Sequence, residues 1–191
     1  DALAQALESV WSLQATEESL GYAFEAIEGI LMSFRASIFE PSSASVAKMQ
    51  SAAYLAGKAI AISRTTLAHA LSYLLSARFH LPHGLAVFLN LPKVIRFNAG
   101  MKPEDCIDPR GIENYREKMK RIFLLFGVED HEGLALFLES FCREMGVSPD
   151  LREHGIREDQ IFWMVESAVA ASRAGNNPRR MDGEGLRHAL R

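Results

Sequence analysis

The sequence predicts an all-α fold, a compact helical bundle. Three observations carry that reading. Apolar residues recur at i, i+3, i+4 and i+7 in nearly every segment. No run of alternating β-branched residues supports a sheet. Pro, Gly, Asn and Asp gather in a few short stretches between the periodic segments. Hydrophobic residues make up 48% of the 191 residues and charged residues 24%, the balance of a soluble globular domain long enough to bury a core.

The elements follow in order. Leu3, Ala6, Leu7, Val10 and Trp11 line one face of a first helix. Thr16 reads as an N-cap followed by the first-turn acids Glu17 and Glu18, whose charge suits a helix start. That helix runs to about Phe39, and Pro41-Ser42-Ser43 breaks it. From Ser45 to Ile62 the chain is small and apolar, fit for a helix packed closely on its neighbours. Residues 63–84, "SRTTLAHALSYLLSARFHLPHG", read as a buried helix closed by Pro-His-Gly. "GLAVFLNLPKVIRFN" predicts a further buried helix, bent or ended near Pro92. Residues 99–111 form the longest loop, and helices are expected over 112–126, 130–145 and 158–173. A loop, "AGNNPRRMDGEG", precedes a short final helix.

Composition excludes several function classes. A net charge of −3 provides no basic field for nucleic acid. No apolar run is long enough to span a membrane. Cys106 and Cys142 lack CxxC spacing and read as free thiols of a reducing cytoplasm, the expected location. The chain opens on "DALAQALESVW", already amphipathic and without an initiator Met or signal peptide, so it is expected to be the C-terminal part of a longer chain. It holds no GxGxxG and no strand–helix alternation, so a dinucleotide site is expected elsewhere.

Two histidines stand out. His69 lies mid-helix among Leu67, Ala68, Ala70 and Leu71, where an unpaired imidazole is costly to bury. His83 follows in a turn where Gly84 permits close backbone approach or positive φ. If the chain folds back, both converge on one ion, but two imidazoles need further partners. Asp1 and Gln5, one turn apart on the first helix, offer a carboxylate and an amide oxygen, a mixed N/O set suited to Fe(II) or Zn(II). Read alone, His69 fits a hydrogen-bonded core histidine better than a ligand, and His83 is equally a solvated loop residue. His80, His131, His154 and His188 read as surface or loop residues, and no HExxH or ExxH motif occurs.

The segments "DALAQALESVWS", "AGKAIAISRTTLAHALSY", "FHLPHGLAVFLNLPKVIRFN" and "GNNPRRM", in this order and spacing, resemble the C-terminal helical domain of the iron-containing (group III) alcohol dehydrogenases, relatives of the glycerol dehydrogenases and dehydroquinate synthases. The resemblance runs over all 191 residues. It implies a two-domain enzyme in which an N-terminal domain binds NAD(H) or NADP(H) and these residues hold a divalent metal that polarises a carbonyl for hydride transfer. It implies Asp1, His69 and His83 as metal ligands, with Gln5 where many members have another His, and Tyr73 where many have a second His near the nicotinamide. "TTLAHALSY", Gln5 and "GNNPRR" look most like the phosphonoacetaldehyde reductases, which implies a substrate bearing a phosphonate and cationic groups to bind it: Arg64 at the expected start of the His69 helix, and Arg179 and Arg180 in the late loop. Solvated surface arginine is the other reading of all three. A simple alcohol, diol or glycerol is the alternative substrate, and a non-catalytic helical interaction module the alternative of another class. A homodimer is expected from the resemblance alone.

Overall fold

The computed structural model describes residues 1–190, and among these the chain is helical from end to end. The helices are α1 (Ala2–Trp11), α2 (Glu17–Phe39), α3 (Ser43–Ser63), α4 (Leu67–Phe79), α5 (His83–Ala99), α6 (Ile112–Phe126), α7 (His131–Glu144), α8 (Glu158–Ala170) and α9 (Gly183–Leu190). Short 3-10 turns lie at Pro103–Asp105, Leu151–His154 and Ala174–Asn176. The all-α expectation holds. Among the described residues the one β-type feature is an isolated antiparallel bridge between Cys106 and Arg179. No helix among the described residues is long and apolar enough to cross a membrane.

The caps set the boundaries. Thr16 Oγ1 accepts from Ser19 N while Ser19 Oγ accepts from Thr16 N, a reciprocal box that starts α2 where the sequence predicts. Ser42 and Ser45 form the same box, which moves the start of α3 two residues earlier than the apolar pattern suggests. The stretch from 63 divides: α3 claims Ser63, and Arg64, at φ 59 and ψ 165, turns the chain into α4. Pro92 does not end α5, which continues to Ala99. The helix expected over 158–173 stops at Ala170 and passes into the 3-10 turn.

Helix α1 is the hub. It packs on α2, α3, α5 and α6, and most of its side chains are buried, as expected of a helix surrounded by others. Helices α2 and α3 pair along their lengths, and Gly29 permits it: a Cβ there would lie 2.9 Å from the Ala52 Cβ. Helix α5 joins α4 on one side to α7 and α9 on the other. The N-terminal ends of α1 and α5 and the first turns of α4 meet at one edge of this core.

Candidate metal centre

Three elements deliver the site. Helix α1 carries Asp1 as its N-cap, then Gln5 and Glu8 on the same face. Helix α4 carries His69 and, one turn on, Tyr73. Helix α5 begins with His83, preceded by Pro82 and followed by Gly84. A Cβ on Gly84 would lie 3.0 Å from Asp1 N and 3.2 Å from Asp1 Cβ, so the glycine is what lets Asp1 reach the histidines. Of the two roles the sequence allows Gly84, close approach is the one used.

Asp1, His69 and His83 each direct one donor atom to a common point, all within 4.8 Å of one another. The His69 Nε2 lies 3.3 Å from Asp1 Oδ1, and the His83 Nε2 3.9 Å from the same oxygen. The two imidazole rings meet edge-on with centroids 5.5 Å apart. His69 is buried and His83 exposed.

The orientation of His69 comes from a residue that the sequence reading missed. Glu8, fully buried, accepts from His69 Nδ1 at 2.5 Å, from Thr66 Oγ1 and Ala68 N at 2.7 Å each, and from Thr66 N at 3.2 Å. Thr66 Oγ1 in turn accepts from Trp11 Nε1 at 3.0 Å. Burial alone pushes the Glu8 carboxyl upward, but the His69 and Thr66 bonds outweigh it and its pKa falls below the ordinary value. With Nδ1–H committed to Glu8, the remaining lone pair of His69 is on Nε2, a buried atom with no hydrogen-bond partner, facing Asp1. Two carboxylates, Asp1 and Glu8, flank His69, and its orphaned Nε2 presents a lone pair with nothing to accept it. A divalent cation fits that lone pair beside the Asp1 carboxylate. The signal for Glu8 is in the pattern: Ala4, Leu7, Glu8 and Trp11 sit at helical spacing, so a carboxylate occupies an apolar stripe.

The remaining predicted residues fall in two groups. Gln5 joins the site, with its Nε2 donating to Asp1 Oδ2 at 2.7 Å. Tyr73 also joins it, its ring stacked on His83 at 6.5 Å with 12° between planes. Arg64 closes α3 rather than opening α4, and its side chain is exposed. At the start of α4, Glu8 takes the backbone N–H groups of Thr66 and Ala68. Arg179 donates from Nη1 to the Phe97 carbonyl and lies over the Phe97 ring at 4.2 Å. Phe97 stands 14 residues along α5 from His83, roughly 20 Å at 1.5 Å per residue, so the fold does not bring Arg179 to the histidines. Arg180 is exposed beside it, and its backbone N–H bonds Asp105 O.

The late loop contributes in another way. Asn176 Nδ2 donates to the carbonyls of Ser63 and Thr65, and Ser12 Oγ bonds the Ser63 carbonyl from α1, so the turn before α4 is clamped from two sides. Burial first, with a smaller contribution from the positive charge of Arg173, lowers the His83 pKa. Arg173, the last residue of the helix expected over 158–173, lies over the Tyr73 ring, 5.5 Å from its centroid. His131 departs from its expected surface role: it is half-buried, hydrogen-bonded to Tyr115 Oη at 3.0 Å and packed edge-on against Phe123.

Comparison with known proteins gives consistent findings. The family model described as Fe-containing alcohol dehydrogenase family, C-terminal, matches residues 1–191. A phosphonoacetaldehyde reductase of Streptomyces viridochromogenes is 32% identical over all of this chain and 47% of its own length. A 1,3-propanediol dehydrogenase of Klebsiella pneumoniae is 27% identical over 94% of this chain and 46% of its own. Among solved structures, a sulfoacetaldehyde reductase of Bifidobacterium kashiwanohense in complex with NAD+ superposes with a TM-score of 0.78 at 25% identity, covering 100% of this chain and 47% of that one. The chain spans about half the length of these proteins.

Proposed function

Because the chain belongs to the iron-containing alcohol dehydrogenase family, whose C-terminal model it matches throughout, we propose that it is the metal-holding half of an NAD(P)-linked enzyme that reduces an aldehyde to an alcohol. The observation that carries this reading is the convergence of Asp1, His69 and His83 with an orphaned, buried Nε2 between them. In this reading Asp1, His69 and His83 hold Fe(II) or Zn(II), both compatible with a mixed imidazole and carboxylate set. Such an ion supplies Lewis-acid stabilisation of the charge that develops on a carbonyl oxygen as hydride arrives.

The protein groups do the positioning. Glu8 fixes the tautomer and ring angle of His69. Gln5, expected in the ligand set, also steadies the second oxygen of Asp1 through its amide N–H. In the same reading Tyr73, half-exposed against His83, passes a proton to the nascent alkoxide. A dinucleotide-binding domain outside these residues completes the cleft.

For the substrate, the 32% identity to a phosphonoacetaldehyde reductase supports phosphonoacetaldehyde, reduced to 2-hydroxyethylphosphonate. The likeness to a 1,3-propanediol dehydrogenase supports a neutral alcohol or diol as the second reading. Two measurements on the full-length protein decide. Metal analysis is expected to give about one Fe or Zn per chain, lost in His69→Ala; a metal-free native protein would leave only the helical interaction module. A screen of phosphonoacetaldehyde against propanal and glycerol separates the two substrates.

A further inference from the structure

The arginines expected to bind an anion are not the ones the fold places at the ion ligands. Arg179 is committed to Phe97, far along α5, and the exposed Arg64 has no side-chain hydrogen bond or ion pair to the site among the described residues. Arg173 is different on each count. Its guanidinium lies over the Tyr73 ring, and that ring stacks on His83. A cation–ring contact of this kind consumes no N–H donor, and no hydrogen bond engages the Arg173 guanidinium among the described residues. Nor are its donors spent on a carboxylate. Arg96, Arg152, Arg157 and Arg187 each hold one, whereas Arg173 has no ion pair among the described residues.

The position is fixed from behind. Arg173 precedes the turn Ala174–Asn176, in which Ala174 is buried and Asn176 is tied to the Ser63 and Thr65 carbonyls. The segment that carries the guanidinium is therefore bonded to the turn that starts the His69 helix. A planar fork of donors, fixed beside a two-histidine, one-carboxylate cluster, is suited to the oxygens of a tetrahedral oxyanion.

We propose that Arg173, seated on Tyr73, is the specificity-determining residue that selects an aldehyde carrying a phosphonate or sulfonate over a neutral one. The assignment rests on the aldehyde-reductase reading above and adds to it the group that recognises the acid. Arg64 and Arg179 are not that group.

The test compares the full-length wild type with Arg173→Ala, Arg173→Lys and Arg64→Ala. Two quantities are read: the ratio of kcat/KM for phosphonoacetaldehyde and sulfoacetaldehyde to that for propanal, and the calorimetric Kd for 2-hydroxyethylphosphonate. Loss of a charge-assisted hydrogen-bonded contact predicts a fall of about 10- to 100-fold in the ratio for Arg173→Ala. The Kd should weaken in parallel, and Arg173→Lys should recover part of both. Sulfonate selectivity should fall less than phosphonate selectivity, since the phosphonate carries more charge. If Arg64→Ala shows the loss and Arg173→Ala does not, the assignment is overturned. An equal fall for charged and neutral aldehydes in Arg173→Ala also overturns it. A wild type with no preference for the charged aldehydes overturns the substrate class as well, which distinguishes failure of that reading from failure of the residue alone.

Discussion

Glu8 on α1 and His69 on α4 are joined across the core by a hydrogen bond of 2.5 Å, and Glu8 also bonds the first backbone N–H groups of α4. One carboxylate thus caps a helix and orients an imidazole. Replacing it with Gln turns an NH2 toward donors that need an acceptor. Glu8→Gln is expected to cost about 2–4 kcal/mol in urea unfolding. It is also expected to weaken ion binding about 10- to 100-fold, read by competition with a chelator. Unchanged ion affinity would refute the positioning role.

Gly84→Ala separates the ion site from the fold. Gly84 has no positive φ, so alanine brings no backbone strain, and the only cost is its Cβ against the Asp1 backbone. Ion occupancy should drop while stability changes by about 1–2 kcal/mol at most. A variant that binds its ion like the wild type would show that Asp1 is not held where the close approach puts it.

Much of this was legible in the sequence, and the reasons for the rest are physical. The helices follow from periodicity, because each must bury a stripe. Their ends follow from caps: Thr16 was readable, whereas the Ser42–Ser45 box competes with Pro41 and the serines around it. The histidines were visible because a polar group in an apolar run is conspicuous. Glu8 was equally conspicuous in its stripe, but acids are common on helices, and only the partners contributed by α4 distinguish it from a solvated one. Arg173 was hidden because apolar spacing continues past Ala170, while the chain leaves the helix there for a turn held by Asn176.

Lys118 predicts the pH dependence of stability. It is 8% exposed, and its Nζ has no hydrogen-bond partner among the described residues. Burial, then the neighbouring charge of Arg110, lower its pKa from 10.5 to about 8, against the pull of Asp108 and Glu17. Between those values the unfolded chain keeps a proton that the folded chain has released, so this group makes stability rise with pH across that window. Below it the folded state carries a buried ammonium. Lys118→Met should therefore stabilise the protein at pH 7 by about 1–2 kcal/mol, with the gain shrinking as pH climbs toward 10.5. A gain that is constant with pH would assign the effect to packing.

Arg64 stands at φ 59 and ψ 165, a region that only glycine enters without strain. Its exposed side chain has no hydrogen bond or ion pair among the described residues to offset that cost. Arg64→Gly is expected to raise stability by about 1 kcal/mol, the strain relieved less the entropy glycine loses on folding. Arg64→Ala should give no such gain. Denaturation midpoints for the pair check both, and equal midpoints would mean that the turn is not strained.

The bond from Trp11 to Thr66 has a spectroscopic use. The chain has two tryptophans, one sealed in the core and donating to the same hydroxyl that Glu8 holds, the other, Trp163, 59% exposed. With Trp163 replaced by Phe, all remaining indole emission originates two hydrogen bonds, through Thr66 Oγ1, from the Glu8–His69 pair. Its colour and quenching would then report, without any added label, when that buried network is intact and when it opens.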